Sequence, residues 1–248
     1  MSEKMTRDDA RQRVWKELRK VAKPDSRFSY NFAECIADYE GSNRSADLMR
    51  EHEIYKKSNL VFITPDNNLE KLREYALLDK KILLMTNYGI SRGFCIIRPG
   101  EVPEGKEELA ATLDGFEKFM HQISLDDVKK EFNKVDMLVT GGSAISTQGF
   151  RFGKGHGYFD LEWAMFWETD LVDLETPVFA VGHNCQIVDV EIEPSSYDTV
   201  VDYIVTPDEI ISVKTNFPKP TQGILWDKLQ EDMIESIPPL KELYDKRK

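Results

Sequence analysis

Short, nearly continuous apolar runs constrain the fold of this chain more than any other feature. They are built mainly from Val, Ile, Leu and Phe and show little polar alternation, which is typical of parallel strands covered on both faces. The runs predict six buried strands: Leu60–Thr64, Ile82–Thr86, Phe94–Ile97, Met137–Thr140, Pro177–Gly182 and Tyr203–Thr206.

Segments with helical signals separate these strands. The first, Thr6–Val21, opens with a threonine suited to capping and has apolar residues at Val14, Leu18 and Val21. Further helices are predicted at Arg44–Lys57, Asn68–Leu78, Asp126–Phe132, Asp160–Glu168 and Ile224–Ile237. Alternating strands and helices predict an α/β fold with a parallel sheet, in which ligands bind beyond the carboxyl ends of the strands.

The domain organisation follows from length and proline content. A chain of 248 residues buries one substantial core or at most two small domains. We expect an α/β domain over residues 1–212 and a proline-broken helical C-terminal arm over residues 213–248, packed on the domain or on a second subunit. The expected state is a monomer or a homodimer.

Composition excludes several classes of function. The net charge of -11 argues against a nucleic-acid partner, because phosphate-backbone affinity requires clustered Lys and Arg. Three widely separated cysteines without CxxC spacing predict reduced thiols in a cytoplasmic protein and no zinc site. We find no signal peptide and no apolar run of membrane-spanning length.

A glycine-rich segment, Gly149–Asp160, predicts a phosphate site. Its alternating glycines expose backbone N–H groups that can surround an anion; they are Gly153, Gly155 and Gly157. Arg151 and Lys154 add positive charge, and Asp160 follows where a carboxylate can hold magnesium against the phosphate. We expect Arg151 to lie near solvent in this loop. The alternative is a glycine-rich surface turn without a ligand.

Other motifs fall in a recognisable order around this loop. Arg7 and Arg11 share one face of the first helix, and the run Gln186–Asp189 precedes Asp198 and the segment Val201–Thr206. This order resembles the 5-formyltetrahydrofolate cyclo-ligase family, over about residues 5–212. The loop is most similar to that of the branch named methenyltetrahydrofolate synthetase domain-containing proteins, including the match at Leu161 and Glu162.

The resemblance implies a fold, a reaction and a set of site residues. The fold is a three-layer α/β/α arrangement of the NagB/RpiA/CoA-transferase type. The reaction is the ATP- and Mg²⁺-dependent closure of 5-formyltetrahydrofolate, or a related formylated pterin, to 5,10-methenyltetrahydrofolate with release of ADP and phosphate. The implied ATP-binding residues are Arg7, Arg11, Arg151, Phe152, Gly153, Lys154, Gly155, His156, Gly157 and Tyr158. Arg151, Lys154 and Tyr158 are the implied catalytic residues, and Asp160 and Asp198 the implied magnesium ligands.

Departures from the family pattern leave an alternative open. Family enzymes usually carry P-G-x-A-F-D ahead of the loop, whereas this chain has Gly141–Ser146 without the Phe and the Asp. The second loop aromatic is Phe159, His156 replaces Lys or Gly, and no acid stands at Asn67 or Asn68, near which the enzymes place a pterin-binding glutamate. These changes affect the folate side most. The alternative is therefore a nucleotide-binding module without folate turnover; a sugar-phosphate site on the same scaffold ranks below it.

Several single residues have a structural interpretation beside the functional one. Arg7 and Arg11 are alternatively surface partners of acids on the helix, and Asp198 is alternatively a turn cap. His183 and Cys185 are expected to pack in the core rather than to act as base and nucleophile. Trp163 and Trp167, four residues apart, are expected to bury one face of their helix.

Overall fold

The computed structural model describes residues 3–153, 157–191, 194–229 and 231–247. Its strands are β1 (Glu3–Lys4), β2 (Leu60–Ile63), β3 (Ile82–Thr86), β4 (Phe94–Ile97), β5 (His121–Gln122), β6 (Met137–Gly141), β7 (Ala144–Ser146), β8 (Arg151–Phe152), β9 (Val178–Val181), β10 (Ile187–Val188), β11 (Val190–Glu191), β12 (Tyr203–Val205) and β13 (Ile210–Ser212). The main sheet has the order β13-β12-β9-β6-β2-β3-β4-β5. Its five central strands, from β12 to β3, are parallel, and the strands at both edges are antiparallel. All six predicted strands are present, with ends that differ by at most one residue.

Helices cover both faces of the main sheet. They are α1 (Arg7–Leu18), α2 (Ser42–Glu51), α3 (Glu53–Lys57), α4 (Glu70–Leu78), α5 (Glu107–Ala111), α6 (Leu113–Phe116), α7 (Leu125–Phe132), α8 (Tyr158–Glu168), α9 (Glu231–Ser236) and α10 (Pro238–Lys246). Because side chains alternate along a strand, Leu60 and Phe62 of β2 join a cluster with α7, α8 and α10. Val61 and Ile63 join the opposite cluster with α2, α3, α4 and α6. The predicted α/β fold with a mostly parallel sheet between helical layers is confirmed.

Local capping explains where the predicted helices begin and break. Thr6 caps α1 by accepting a hydrogen bond from the Asp9 amide at 3.1 Å, as its sequence position predicts. The predicted helix Arg44–Lys57 is interrupted at His52, whose extended backbone ends α2 and whose Nδ1 accepts from the Ile54 amide to cap α3. A single long helix was therefore the wrong prediction at this place.

A small second layer positions the N-terminal helix. Strands β10, β7 and β8 form a three-stranded sheet, and its apolar side chains pack with Ala10, Val14 and Leu18 of α1. This layer was not predicted from the sequence, because its strands are two or three residues long. It holds α1 beside the segment that follows β8, which is the start of the glycine-rich loop.

The C-terminal arm differs from its prediction. In place of one helix at Ile224–Ile237 there is a single 3₁₀ turn at Trp226–Lys228, then α9 and α10. Pro238 lies in the first turn of α10, where a proline starts a helix because its missing N–H has no intrahelical partner to lose. Ile237, Leu240 and Leu243 are buried against the main domain. None of the helices in the described ranges has the length and apolar content needed to cross a membrane.

Candidate functional site

A cavity of about 490 Å³ lies where the parallel strands end. Thr64, Thr86 and Thr140, at or beside the carboxyl ends of β2, β3 and β6, form part of its lining. The N-terminus of α8 and residues of α1 line it further. This is the position that the alternation of strands and helices predicts for a ligand.

The cavity brings together most of the predicted site residues. Those that line it are Arg7, Arg11, Arg151, Phe152, Gly153, Gly157, Tyr158, Asp160 and Asp198. Lys154, Gly155 and His156 were also predicted to bind the phosphates, and they lie outside the described residues. The segment from residue 157 onward carries the loop into α8.

The N-terminus of α8 offers donors to the cavity. Gly157 is its N-cap residue, with φ of +67° and no side chain to cap the helix. The first backbone N–H groups of a helix have no intrahelical acceptor, so they attract an anion together with the positive end of the helix dipole. Tyr158, Phe159 and Asp160 of this first turn all line the cavity. The helix start is therefore suited to hold a phosphate.

Arg7 reaches across from α1 to Asp198. Its Nη1 donates to Asp198 Oδ1 at 3.0 Å, its Nη2 donates to Oδ2 of the same carboxylate, and Nη2 also donates to Ser195 Oγ at 3.0 Å. Asp198 accepts as well from the Ser195 amide at 2.6 Å. Asp198 therefore accepts a hydrogen bond within its own turn, as the turn-cap interpretation predicts, and its carboxylate orients Arg7.

Arg11 contacts the glycine-rich loop directly. Its Nε donates to the Gly153 carbonyl at 2.9 Å, and its Nη1 pairs with Asp8 one turn earlier on α1. Only 13% of the Arg11 side chain is exposed, whereas 85% of Asp8 is. Arg11 thus faces the cavity while its partner stays in solvent, where an ion pair is weak and easily exchanged for a phosphate.

Arg151 is buried, which contradicts the expectation of a loop arginine near solvent. It belongs to β8 and its side chain is 5% exposed. The guanidinium lies 4.6 Å from the centroid of the Phe159 ring, and Nη2 lies 3.8 Å from Asp160 Oδ2. Its buried Nε has no hydrogen-bond partner among the described residues. A buried cationic donor without an acceptor in a cavity wall points to an anionic ligand.

Asp160 is the carboxylate best placed to hold a cation. Its Oδ1 accepts from the Thr199 amide at 2.9 Å. Burial raises the pKa of Asp160 against the lowering effect of Arg151 and of the Thr199 hydrogen bond. The described residues contain no group of three or more His, Cys, Asp or Glu side chains that could form a complete metal site. Magnesium commonly needs only one or two protein carboxylates beside the phosphates of a bound nucleotide, so Asp160 fits this role; both Asp198 oxygens already accept from Arg7.

Two cavity acids were not recognised from the sequence. Glu162 is 2% exposed, and its Oε1 accepts a hydrogen bond of 2.6 Å from Thr86. Burial raises the pKa of Glu162 to about 8, aided by the negative charge of Asp66, while the Thr86 bond opposes the shift. Asp66 is fixed by Thr64 Oγ1 at 2.6 Å and by the Gly141 amide at 2.9 Å. The spacing of Glu162 four residues after Tyr158 is the signal that places it on the cavity face of α8.

Asn67 and Asn68, the positions near the family's pterin-binding glutamate, do not line the cavity. Asn68 is buried and its Nδ2 donates to the Val181 carbonyl at 3.0 Å, while Asn67 donates to Asp25. Carboxyl groups therefore reach the cavity from Asp66 and Glu162 instead.

His183 and Cys185 form a structural turn outside the cavity lining. The His183 Nδ1 accepts from the Cys185 amide at 3.2 Å, and the Gln186 Oε1 accepts from the His183 amide at 2.7 Å. Burial raises the pKa of Cys185 to about 11 and lowers that of His183, which disfavours a thiolate–imidazolium pair. Trp163 is buried, as expected, whereas Trp167 is only half-buried; the two rings stack with 6.2 Å between their centroids.

Curated relatives match nearly the whole chain. Methenyltetrahydrofolate synthase domain-containing proteins are 32% identical in Homo sapiens and 33% in Danio rerio, each over 96% of this chain and 61% of the relative. The Mus musculus protein is 30% identical over 99% of this chain and 65% of its own length. The chain therefore spans less than two thirds of these relatives.

Solved structures that this chain matches include two methenyltetrahydrofolate synthetases. The Aquifex aeolicus structure is 16% identical with a TM-score of 0.49, covering 85% of this chain and 94% of that one. The Mycoplasma pneumoniae structure is 9% identical with a TM-score of 0.47, covering 80% and 96%. A model of the 5-formyltetrahydrofolate cyclo-ligase family matches residues 3–207, which include every predicted site residue. This chain belongs to the 5-formyltetrahydrofolate cyclo-ligase family.

Proposed function

We propose that this protein is an ATP- and Mg²⁺-dependent cyclo-ligase that converts 5-formyltetrahydrofolate, or a related formylated pterin, to 5,10-methenyltetrahydrofolate. The single observation that carries the proposal is the convergence of Arg7, Arg11 and Arg151 with the start of α8 in one cavity. In a protein with a net charge of -11, such a local group of cations favours an anionic ligand. Family membership favours ATP as that ligand.

The arginines suit a phosphoryl transfer. The formyl oxygen attacks the terminal phosphorus of ATP, and ADP leaves. N10 then attacks the activated carbon and gives up its proton to the phosphate, which leaves with the former formyl oxygen as the C–O bond breaks. Charge on the phosphoryl oxygens is stabilised by donors already in place, which avoids reorganisation during the reaction. Arg151 is the most buried of these three arginines and contacts Phe159 and Asp160. The loop residue Lys154 and the cavity residue Tyr158 complete the proposed catalytic set.

Magnesium would be held by Asp160 and the nucleotide phosphates, and Asp198 would join them only after a phosphate takes its place on Arg7. A bound divalent cation neutralises charge on the transferring phosphoryl group. Asp198 has a second task before the nucleotide binds, because it keeps Arg7 directed at the cavity.

The folate side of the cavity supports turnover over the alternative of a nucleotide-binding module. The sequence lacks an acid at Asn67 and Asn68, yet Asp66 and Glu162 supply carboxyl groups to the same cavity. A reduced pterin carries ring N–H and amino donors, and a buried carboxyl group is their natural acceptor. Glu162 has its Oε1 fixed by Thr86, which orients the group.

A coupled assay tests this proposal. The 248-residue protein with Mg²⁺, ATP and 5-formyltetrahydrofolate should give methenyl product and phosphate in equal amounts. Arg11→Ala should weaken ATP binding about tenfold or more, since a charge-assisted hydrogen bond contributes about 1.5–3 kcal/mol. Arg13→Ala is the matched control, because Arg13 lies on the same helix and does not line the cavity.

The outcomes separate the two functions. ATP binding without product, in folded protein at high concentration, would support the nucleotide-binding module. Equal ATP affinity in the Arg11 and Arg13 variants would remove the phosphate assignment of the cavity, and with it both functions.

A further inference from the structure

The C-terminal arm (residues 213–248) forms one wall of the cavity. Gly223, Ile224, Leu225, Lys228, Leu229 and Met233 all line it. The family model ends at residue 207, so this wall lies outside the part of the chain that defines the family. The curated relatives match at least 96% of the chain, which is more than the span of residues 3–207. The wall is thus an addition to the family domain, and the match to these relatives reaches beyond residue 207.

The arm is fixed to the domain ahead of the wall. The buried Lys219 donates to the carbonyls of Leu174 and Thr176 at 3.0 and 2.8 Å and pairs with Asp202 at 2.7 Å. The Trp163 Nε1 donates to the Pro220 carbonyl at 2.9 Å. These contacts hold the start of the arm against α8 and the end of the sheet.

The arm is fixed again after the wall. Ile237, Leu240 and Leu243 are buried in the cluster on this face of the sheet. The Lys246 Nζ donates to Asp126 on α7 at 2.7 Å. The wall is therefore a bridge between two anchored segments and does not hang as a free tail.

The side chains of the bridge are only partly covered. Leu225, Leu229 and Met233 are partly exposed although they are apolar and face the cavity. Removing half-exposed apolar side chains from water lowers the free energy. A ligand with a flat apolar body that covers these side chains would therefore bind favourably.

Lys228 supplies a cation at the rim. It lies 5.7 Å from the centroid of the Tyr197 ring, and within the described part of the chain no carboxylate pairs with it. Tyr197 directly precedes Asp198, the partner of Arg7, so Lys228 reaches the charged side of the cavity. Arg7, Arg11 and Arg151 each have a carboxylate neighbour, whereas Lys228 has none in the ranges that the structure describes.

We propose that the C-terminal arm is a specificity wall of the ligand site, in which Lys228 binds an anionic group of the ligand and Leu229 with Leu225 and Met233 contacts its flat apolar body. The anionic group is a nucleotide phosphate or the carboxylate of a glutamyl tail. The identity of the ligands rests on the proposed function, but the roles of Lys228 and Leu229 do not depend on turnover.

Calorimetry on the full chain tests the wall with four probes. They are Mg-ATP, inorganic triphosphate, 5-formyltetrahydrofolate, and the same pterin compound without its glutamate. Lys228→Ala should weaken at least one anionic probe about tenfold, as expected for a lost charge-assisted contact. Leu229→Ala should weaken a probe with a ring system and leave triphosphate unchanged. Lys241→Ala is the control, since Lys241 lies on the same arm, pairs with Glu235 at the surface and does not line the cavity.

The pattern across probes identifies the anion. Weaker binding of both ATP and triphosphate assigns Lys228 to a phosphate. Weaker binding of 5-formyltetrahydrofolate, with no change for the compound lacking glutamate, assigns it to the tail carboxylate. Either pattern supports the proposal that the arm binds the ligand, whether or not the protein shows turnover. If turnover is absent, only the proposed function fails.

Two results overturn the wall. The first is a Lys228→Ala protein whose affinity for every probe and whose turnover equal those of the Lys241→Ala control. This result would not affect the proposed function. The other is a parent protein, folded by thermal unfolding, that binds none of the four probes; this removes both proposals.

Discussion

Glu162→Gln should stabilise the protein at neutral and alkaline pH. The buried Glu162 carboxyl has its pKa raised from 4.5 to about 8, so at pH 7 it is protonated when folded and ionised when unfolded. Because the folded state holds a proton that the unfolded state loses, stability falls as pH rises from about 4.5 to about 8. Glutamine cannot ionise, and its side-chain carbonyl can still accept the Thr86 hydroxyl.

The magnitude follows from the two pKa values. At 1.36 kcal/mol per pKa unit, the group costs about 3 kcal/mol at pH 7 and almost nothing below pH 4. The variant should therefore exceed the parent in free energy of unfolding by about 3 kcal/mol at pH 7. For a chain of this size the melting temperature should rise by roughly 6–12 °C.

Urea unfolding of both proteins at pH 4, 5, 6, 7 and 8 measures this difference directly. The difference between variant and parent isolates Glu162, because every other titrating group is shared. A difference that stays constant across the pH series, or a variant less stable than the parent at pH 8, would refute the protonated, buried state of Glu162.

Four further substitutions test contacts described above. Arg151→Ala should lower the free energy of unfolding, measured by urea titration, by about 3 kcal/mol, since it leaves the buried Asp160 without its cation. Unchanged stability would contradict the buried position of Arg151. Gly223→Ala should cost about 1–3 kcal/mol by the same measurement, because φ is +65°, where a residue with a Cβ is strained, and the Glu168 carboxylate would have to move aside. Trp163→Phe should cost about 1 kcal/mol and speed amide exchange in the arm by losing the Pro220 hydrogen bond, and slow exchange there would contradict the anchor. Thr6→Ala should cost about 1 kcal/mol through the lost cap of α1, with Ser as the conservative control that keeps it.

Local patterns predicted the sheet well because its strands carry their own signal. Central strands such as β2 and β3 are buried on both faces, so unbroken apolar runs mark them directly. The start of α1 was predictable for the same reason, since the cap of Thr6 depends on residues three positions apart. The expected Arg7, Arg11 and Asp160 also meet in one cavity.

Contacts between distant segments explain what the sequence did not reveal. Arg151 looked like a loop residue, and only the packing of Phe159 and α1 around the short β8 buries it. Glu162 lies at the end of the glycine-loop motif, but its raised pKa could not be predicted from that motif. The pKa is raised by burial and by the charge of Asp66, which lies 96 positions earlier in the chain. The part of the arm that lines the cavity lacks a strong hydrophobic periodicity. Its position beside the cavity depends on distant contacts such as those of Lys219.

The cavity is assembled from the two far regions of the chain, and this has a consequence during protein synthesis. Arg7 meets Asp198 across 191 positions, and Lys228 follows later still. A ribosome makes residues 219–243 after the last strand of the sheet, which ends at Ser212, so the ligand site is completed only after the domain core has been translated. A ligand that contacts this wall therefore binds only chains in which residues 219–243 have folded, and its binding energy adds to the stability of that state alone.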